Sequence, residues 1–132
     1  MSNTRTVIDE FYRRVGNGDI AGLGELFADE VDLDVYGSED VPWIGKRSTG
    51  AEAVEFFRTL PKYLEPLEFT VTKIFVDGED AVALGHMRQK VKANGLVFDS
   101  PFAFRFTVVD GKITRYVVYE DSLALARAFG GS

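Results

Sequence analysis

Phe102-Ala103-Phe104-Arg105-Phe106, then Asp110-Gly111, then Ile113-Thr114-Arg115-Tyr116-Val117-Val118-Tyr119-Glu120-Asp121 is the stretch whose reading decides the fold. Two runs rich in aromatic and β-branched residues flank a turn dipeptide, which predicts a long β-hairpin. Moving toward the N-terminus, Asn94-Gly95 repeats the signal, because both of its positions accept positive φ. Asp77-Gly78-Glu79-Asp80 gives a further turn. Four strands are therefore predicted near 67–76, 81–92, 96–109 and 112–121. Val7, Ile8, Phe11 and Val15 recur at helical spacing from about Thr4, and Gly16-Asn17-Gly18 ends that helix. Asp19 caps a second helix carrying Ile20, Leu23, Leu26 and Phe27. Val31-Asp32-Leu33-Asp34-Val35 alternates as a short strand, and residues 37–48 read as the longest irregular segment. Thr49-Gly50-Ala51-Glu52 fits a capping box that opens a third helix with Val54, Phe57 and Leu60, before a connector between Pro61 and Pro66. Helices first and a meander second predict an α+β domain, its curved antiparallel sheet wrapping the N-terminal helices around an apolar pocket.

The turns also predict a register. A two-residue Asn94-Gly95 loop pairs Met87 with Phe102, Gly85 with Phe104 and Ala83 with Phe106. A three-residue loop at Gly111 pairs Phe104 with Tyr116 and Phe102 with Val118. A strict two-residue loop there puts Tyr116 on the opposite face instead. The first alternative gives an inner wall of Ala83, Gly85, Met87, Phe102, Phe104, Phe106, Tyr116 and Val118. The outer face then carries Val82, Leu84, His86, Arg88, Arg105, Arg115, Val117 and Tyr119. That mixture of apolar and charged groups predicts a homodimer through the outer sheet face.

Composition narrows the function. With 132 residues, 45% of them hydrophobic and eleven of them Phe, the chain suits one domain with its own core. There is no cysteine, which excludes disulfides, thiolate metal sites and cysteine nucleophiles. A net charge of −6 argues against nucleic acid. No apolar run reaches membrane-spanning length and Met1-Ser2-Asn3-Thr4-Arg5 has no signal-like apolar core, so a cytoplasmic protein without membrane contact is expected. His86 is the one histidine and lacks companions at ligand spacing, so neither a metal nor another cofactor is expected.

Gly18-Asp19 with Leu26-Phe27-Ala28-Asp29, then Gly45, Gly50, Asp110-Gly111-Lys112-Ile113 and Tyr119-Glu120-Asp121, resemble the nuclear transport factor 2-like superfamily in its SnoaL-like and ketosteroid isomerase-like branch. The resemblance spans nearly the whole chain and implies the cone-shaped NTF2-like (cystatin-like) fold over 1–132. It implies an isomerase or polyketide cyclase moving protons on a small hydrophobic, carbonyl-bearing substrate. A non-catalytic binder of a hydrophobic molecule is the alternative, since fold does not fix function. The tyrosine that ketosteroid isomerases place on the first helix falls on Phe11, beside Tyr12, and their partner acid falls on Phe102. The catalytic groups of limonene epoxide hydrolases fall on Gly85, Met87 and Val118. The base is better matched, by Asp34-Val35-Tyr36-Gly37-Ser38-Glu39.

Asp34 is accordingly the candidate base, because a carboxylate short of water beside Tyr36 and Trp43 suits proton abstraction next to a carbonyl. Its alternative is the wet face of a strand beside Asp32. Tyr116 is the candidate hydrogen-bond donor to a substrate oxygen, or else a core tyrosine. Phe11, Tyr36, Trp43, Phe57, Tyr63, Gly85, Met87, Phe102, Phe104 and Val118 are the expected ligand-binding positions. Asp121 before Ser122-Leu123 is expected to cap a final helix.

Overall fold

A computed structural model describes residues 3–39 and 41–130. Met1, Ser2, Asp40, Gly131 and Ser132 lie outside the described residues. The chain runs α1 (Thr4–Gly16), α2 (Ile20–Gly24), β1 (Phe27–Val35), β2 (Gly45–Thr49), α3 (Gly50–Tyr63), β3 (Leu64–Asp77), β4 (Asp80–Val91), β5 (Val97–Val109), β6 (Lys112–Glu120) and α4 (Ser122–Phe129). The strands form one open, curved sheet in the order β2-β1-β6-β5-β4-β3. All neighbours are antiparallel except β1 and β6, which run parallel. The sheet is therefore mixed, and the α+β class stands.

Caps and turns set the helix limits. Asp19 accepts from the Gly22 amide at the head of α2, and Asp121 from Ala124 at the head of α4. Thr49 and Glu52 close the capping box of α3, an arrangement worth about 1 kcal/mol. Helix α2 ends at Gly24, so Phe27 belongs to β1, which begins earlier than its alternating segment suggests. Pro61 sits in the last turn of α3, where the helix is already ending, rather than in a connector. The one strand the sequence does not announce is β2. Its Lys46-Arg47-Ser48-Thr49 has no apolar alternation and becomes a strand through pairing with β1.

Two turns depart from the predicted register in instructive ways. Strands β4 and β5 are joined by a loop closed from the Val91 amide to the Leu96 carbonyl, with Gly95 at φ 75°. The longer loop slides the register by two residues, so Gly85 faces Phe102, Ala83 faces Phe104 and Met87 faces Ser100. A slip of two preserves every side chain's face. The β5–β6 turn is a strict two-residue Asp110-Gly111 turn, both residues at positive φ (52° and 79°), as a type I′ hairpin requires. Alone it would turn Tyr116 outward. A bulge intervenes: Val108 pairs with Ile113 but Thr107 pairs with Arg115, leaving Thr114 as an extra residue. Phe106 then faces Tyr116 and Phe104 faces Val118, all on the inner face.

The core lies between this face and the helices. Phe11 of α1 is its hub, with ring centroids 5.3 Å from Phe106, 5.5 Å from Tyr116 and 5.6 Å from Phe57. Gly85 permits the closest packing in the sheet. A Cβ there would lie 2.4 Å from Phe102 Cζ and 2.1 Å from the Thr70 carbonyl. The Phe102 ring uses that space and stacks on both Phe69 (5.0 Å) and Phe104 (4.2 Å), which are themselves 6.3 Å apart.

Candidate functional site

The curved inner face and the helices enclose a cavity of about 770 Å³. Its walls are chiefly apolar: Phe11 and Val15 from α1, Phe56 and Phe57 from α3, and Met87, Phe104 and Val118 from the sheet. Trp43 and Leu125 of α4 close one side. Four polar side chains also reach it: Tyr12, Gln89, Tyr116 and Glu120.

Strand parity puts Glu120 there. Tyr116, Val118 and Glu120 alternate inward along β6, and Glu120 pairs with Phe102. Burial among aromatic rings pushes its carboxyl up from 4.5 to about 7, because water cannot solvate the anion. Burial likewise pushes the Tyr116 phenol well up, with the neighbouring Tyr12 and Glu120 adding to it. Tyr116 is 3% exposed. Tyr12 is also pushed up by burial, and its hydroxyl is buried with no hydrogen-bond partner among the described residues. Leaving such a group unpaired costs about 1–3 kcal/mol, a cost that a bound ligand oxygen would remove. The arrangement offers one carboxyl that changes charge near neutrality, and phenol donors around it. Such a set can hold a carbonyl oxygen and move a proton beside it.

Of the expected positions, Phe11, Trp43, Phe57, Met87, Phe104, Tyr116 and Val118 line the cavity together. Tyr63 is set back, packed on Trp43 (5.6 Å) and Phe129 (5.9 Å). Gly85 and Phe102 fill one another's space beneath the wall instead of lining it. Asp34 lies on the other face of the sheet. Val35 pairs with Val118 and lines the cavity, while Asp34 pairs with Val117 and points away. Asp34 is buried (6% exposed), and its carboxylate lies 3.9 Å from Lys46 Nζ. Tyr36 accompanies it outward, 53% exposed and stacked on Tyr119 at 5.6 Å. The Asp34 charge, first among several causes, pushes the Tyr36 phenol up. The motif around Asp34 is thus intact in sequence but directed away from the cavity. Sequence reasoning passed over Glu120, Gln89 and Tyr12. Parity continued two residues past Val118 and Met87 would have found the first two, and Tyr12 borders the apolar stripe of α1.

The model of the SnoaL-like domain matches residues 8–116. The chain belongs to the SnoaL-like family. Within its NTF2-like superfamily the solved structures agree in shape. A Burkholderia pseudomallei K96243 protein described as NTF2-like and of unknown function superposes with a TM-score of 0.89 at 21% identity, covering 99% of this chain and 100% of that one. TerC, co-crystallised with polyporic acid, gives 0.84 at 20% identity and 97% and 98% coverage. A Bacillus subtilis protein carrying a provisional isomerase label gives 0.83 at 21% identity, with 98% and 94% coverage. At such identities the likeness shows the fold alone. No curated protein matches this SnoaL-like chain. No helix among its described residues is long and apolar enough to cross a membrane.

Proposed function

We propose that this SnoaL-like protein is an acid–base enzyme of the isomerase or cyclase type, binding one small hydrophobic carbonyl compound in the cavity. Glu120 removes a proton beside the carbonyl, and Tyr116 donates a hydrogen bond to the oxygen as charge develops there. The observation that carries this reading is the Glu120 carboxyl at the wall of an apolar cavity, held near 7 by burial. A base of that strength is half ionised at neutral pH and is close to the optimum for proton abstraction. The role inferred from sequence for Asp34 passes to Glu120, because only the latter reaches the cavity.

The test is hydrogen exchange. Polycyclic and terpenoid ketones are incubated with the protein in deuterated water, and deuterium uptake beside the carbonyl is read by mass spectrometry. Glu120→Gln should slow uptake by roughly 10²–10⁴-fold while ligand-induced thermal stabilisation persists. For the native protein the rate should rise with pH through about 7, as the base ionises. Undiminished uptake in Glu120→Gln removes Glu120 from the mechanism. Ketones that stabilise the protein without exchange favour the second reading, a carrier or sensor of hydrophobic molecules. That reading gains from Glu120 being the one acidic residue among the cavity's lining.

A further inference from the structure

The inner column of β4 is Ala81, Ala83, Gly85, Met87, Gln89 and Val91, and Gln89 alone in it is polar. Its side chain lines the cavity, yet among the described residues its one side-chain hydrogen bond is from Nε2 to the Met87 sulfur at 3.5 Å. A thioether is a weak acceptor, so the amide keeps a donor and an acceptor to spare. Nothing in the packing of β4 requires an amide there; both antiparallel partners, Phe98 on β5 and Pro66 on β3, are apolar.

Its place relative to Glu120 follows from the ladder. Gln89 pairs with Phe98, and Glu120 pairs with Phe102 on the other edge of the same strand. Four residues along the strand and two strand spacings across put their Cα atoms about 16 Å apart. Both side chains reach inward from a concave face, so the polar groups stand apart by the length of a short fused-ring body. Between them along the ladder stand Met87 and Ser100, and Met87 and Phe98 line the cavity on that side.

We infer that Gln89 is a specificity-determining residue that binds a second polar substituent of the substrate, at the end of the cavity opposite Glu120. The ligand class is then narrower than any hydrophobic carbonyl compound: a flat body of two or three rings with oxygen at both ends. This rests on the cavity being the binding site, as proposed above, and the two ideas fail separately.

The probes are 2-hydroxyanthraquinone and 2,6-dihydroxyanthraquinone, titrated calorimetrically at pH 6 into the native protein and into Gln89→Met, Gln89→Leu and Glu120→Gln. The diol should bind the native protein about five- to tenfold more tightly than the mono-ol. Both Gln89 variants should erase that ratio by weakening the diol more than the mono-ol. Glu120→Gln should weaken both probes alike and preserve the ratio. A ratio near one in the native protein, or a ratio that survives Gln89→Met, overturns the role of Gln89 and leaves the cavity reading standing. Failure of both probes to bind overturns both. Unfolding of the near-isosteric Gln89→Met, read by thermal melt, would make the amide structural and overturn the proposal as well.

Discussion

The two faces of the sheet share the same strands and treat polar groups in opposite ways. On the outer face several charges have a neighbour of opposite sign: Arg115 lies 3.5 Å from Asp32, Arg105 lies 4.0 Å from Asp80, and Asp99 meets both His86 and Arg88. Tyr36 and Tyr119 stack on one another there. On the inner face the polar residues are few, and the contacts they make are poor. Glu120 has no ion pair or hydrogen bond among the described residues, Tyr12 leaves its hydroxyl unpaired, and Gln89 turns to a sulfur. The outer groups complete one another, whereas the inner ones need something supplied from outside. A carboxylate matching a family motif on the first kind of surface is a poorer candidate than an unheralded one on the second.

The largest effect expected from disturbing this contrast is at Gly85. A methyl group there meets the Thr70 carbonyl and the Phe102 ring at once, and the strand pairing leaves the carbonyl nowhere to go. Gly85→Ala should cost about 3 kcal/mol of stability in urea titration. A loss under about 1 kcal/mol would mean that the Phe69–Phe102–Phe104 stack is looser than drawn.

Glu120 should reveal itself in stability as well as in rate. Its carboxyl ionises near 4.5 when exposed and near 7 in the native state. Between those values the native protein holds a proton that the unfolded chain has released, so stability falls as pH rises from 4.5 to 7 and stays low above. Glu120→Gln removes that loss. The variant should be more stable than the native protein by about 3 kcal/mol at pH 8 and equal to it at pH 4. Equal stability at both would show that the carboxyl is better hydrated than its surroundings imply. A substitution that abolishes catalysis and strengthens the fold is the mark of a group placed for chemistry.

The smallest effect should come from the outer face. Arg115→Ala breaks an exposed pair and should change stability by less than about 1 kcal/mol. A larger loss, and one that grows with protein concentration, would show the face covered by a second copy of the chain.

The fold was legible because its signals are local: the helical stripe of α1, the capping box at Thr49 and the turn dipeptides each act within a few residues. Face assignment for β4 and β5 survived an error in loop length because the error was even. Strand β2 was not legible, since a polar pentapeptide is a strand only when β1 lies beside it. Within the site, the apolar wall followed from alternation. Asp34 misled because Asp-x-x-Gly-Ser-Glu reads the same whichever way the strand faces. Glu120 was within reach of the parity argument, but it sits in the strand's last residue, where a run of Tyr119-Glu120-Asp121 looks like the start of a cap.

The bulge at Thr114 has a consequence at the level of the gene. The extra residue lets this strand absorb the loss of one codon. Deleting the Thr114 codon would set Arg115 beside Ile113 and still opposite Thr107, so Tyr116, Val118 and Glu120 would go on facing the cavity. Point changes along β6 can only retune the pocket, one wall residue at a time. Removing one codon from a regular strand exchanges its two faces, whereas here the spare residue is lost and the cavity keeps its lining.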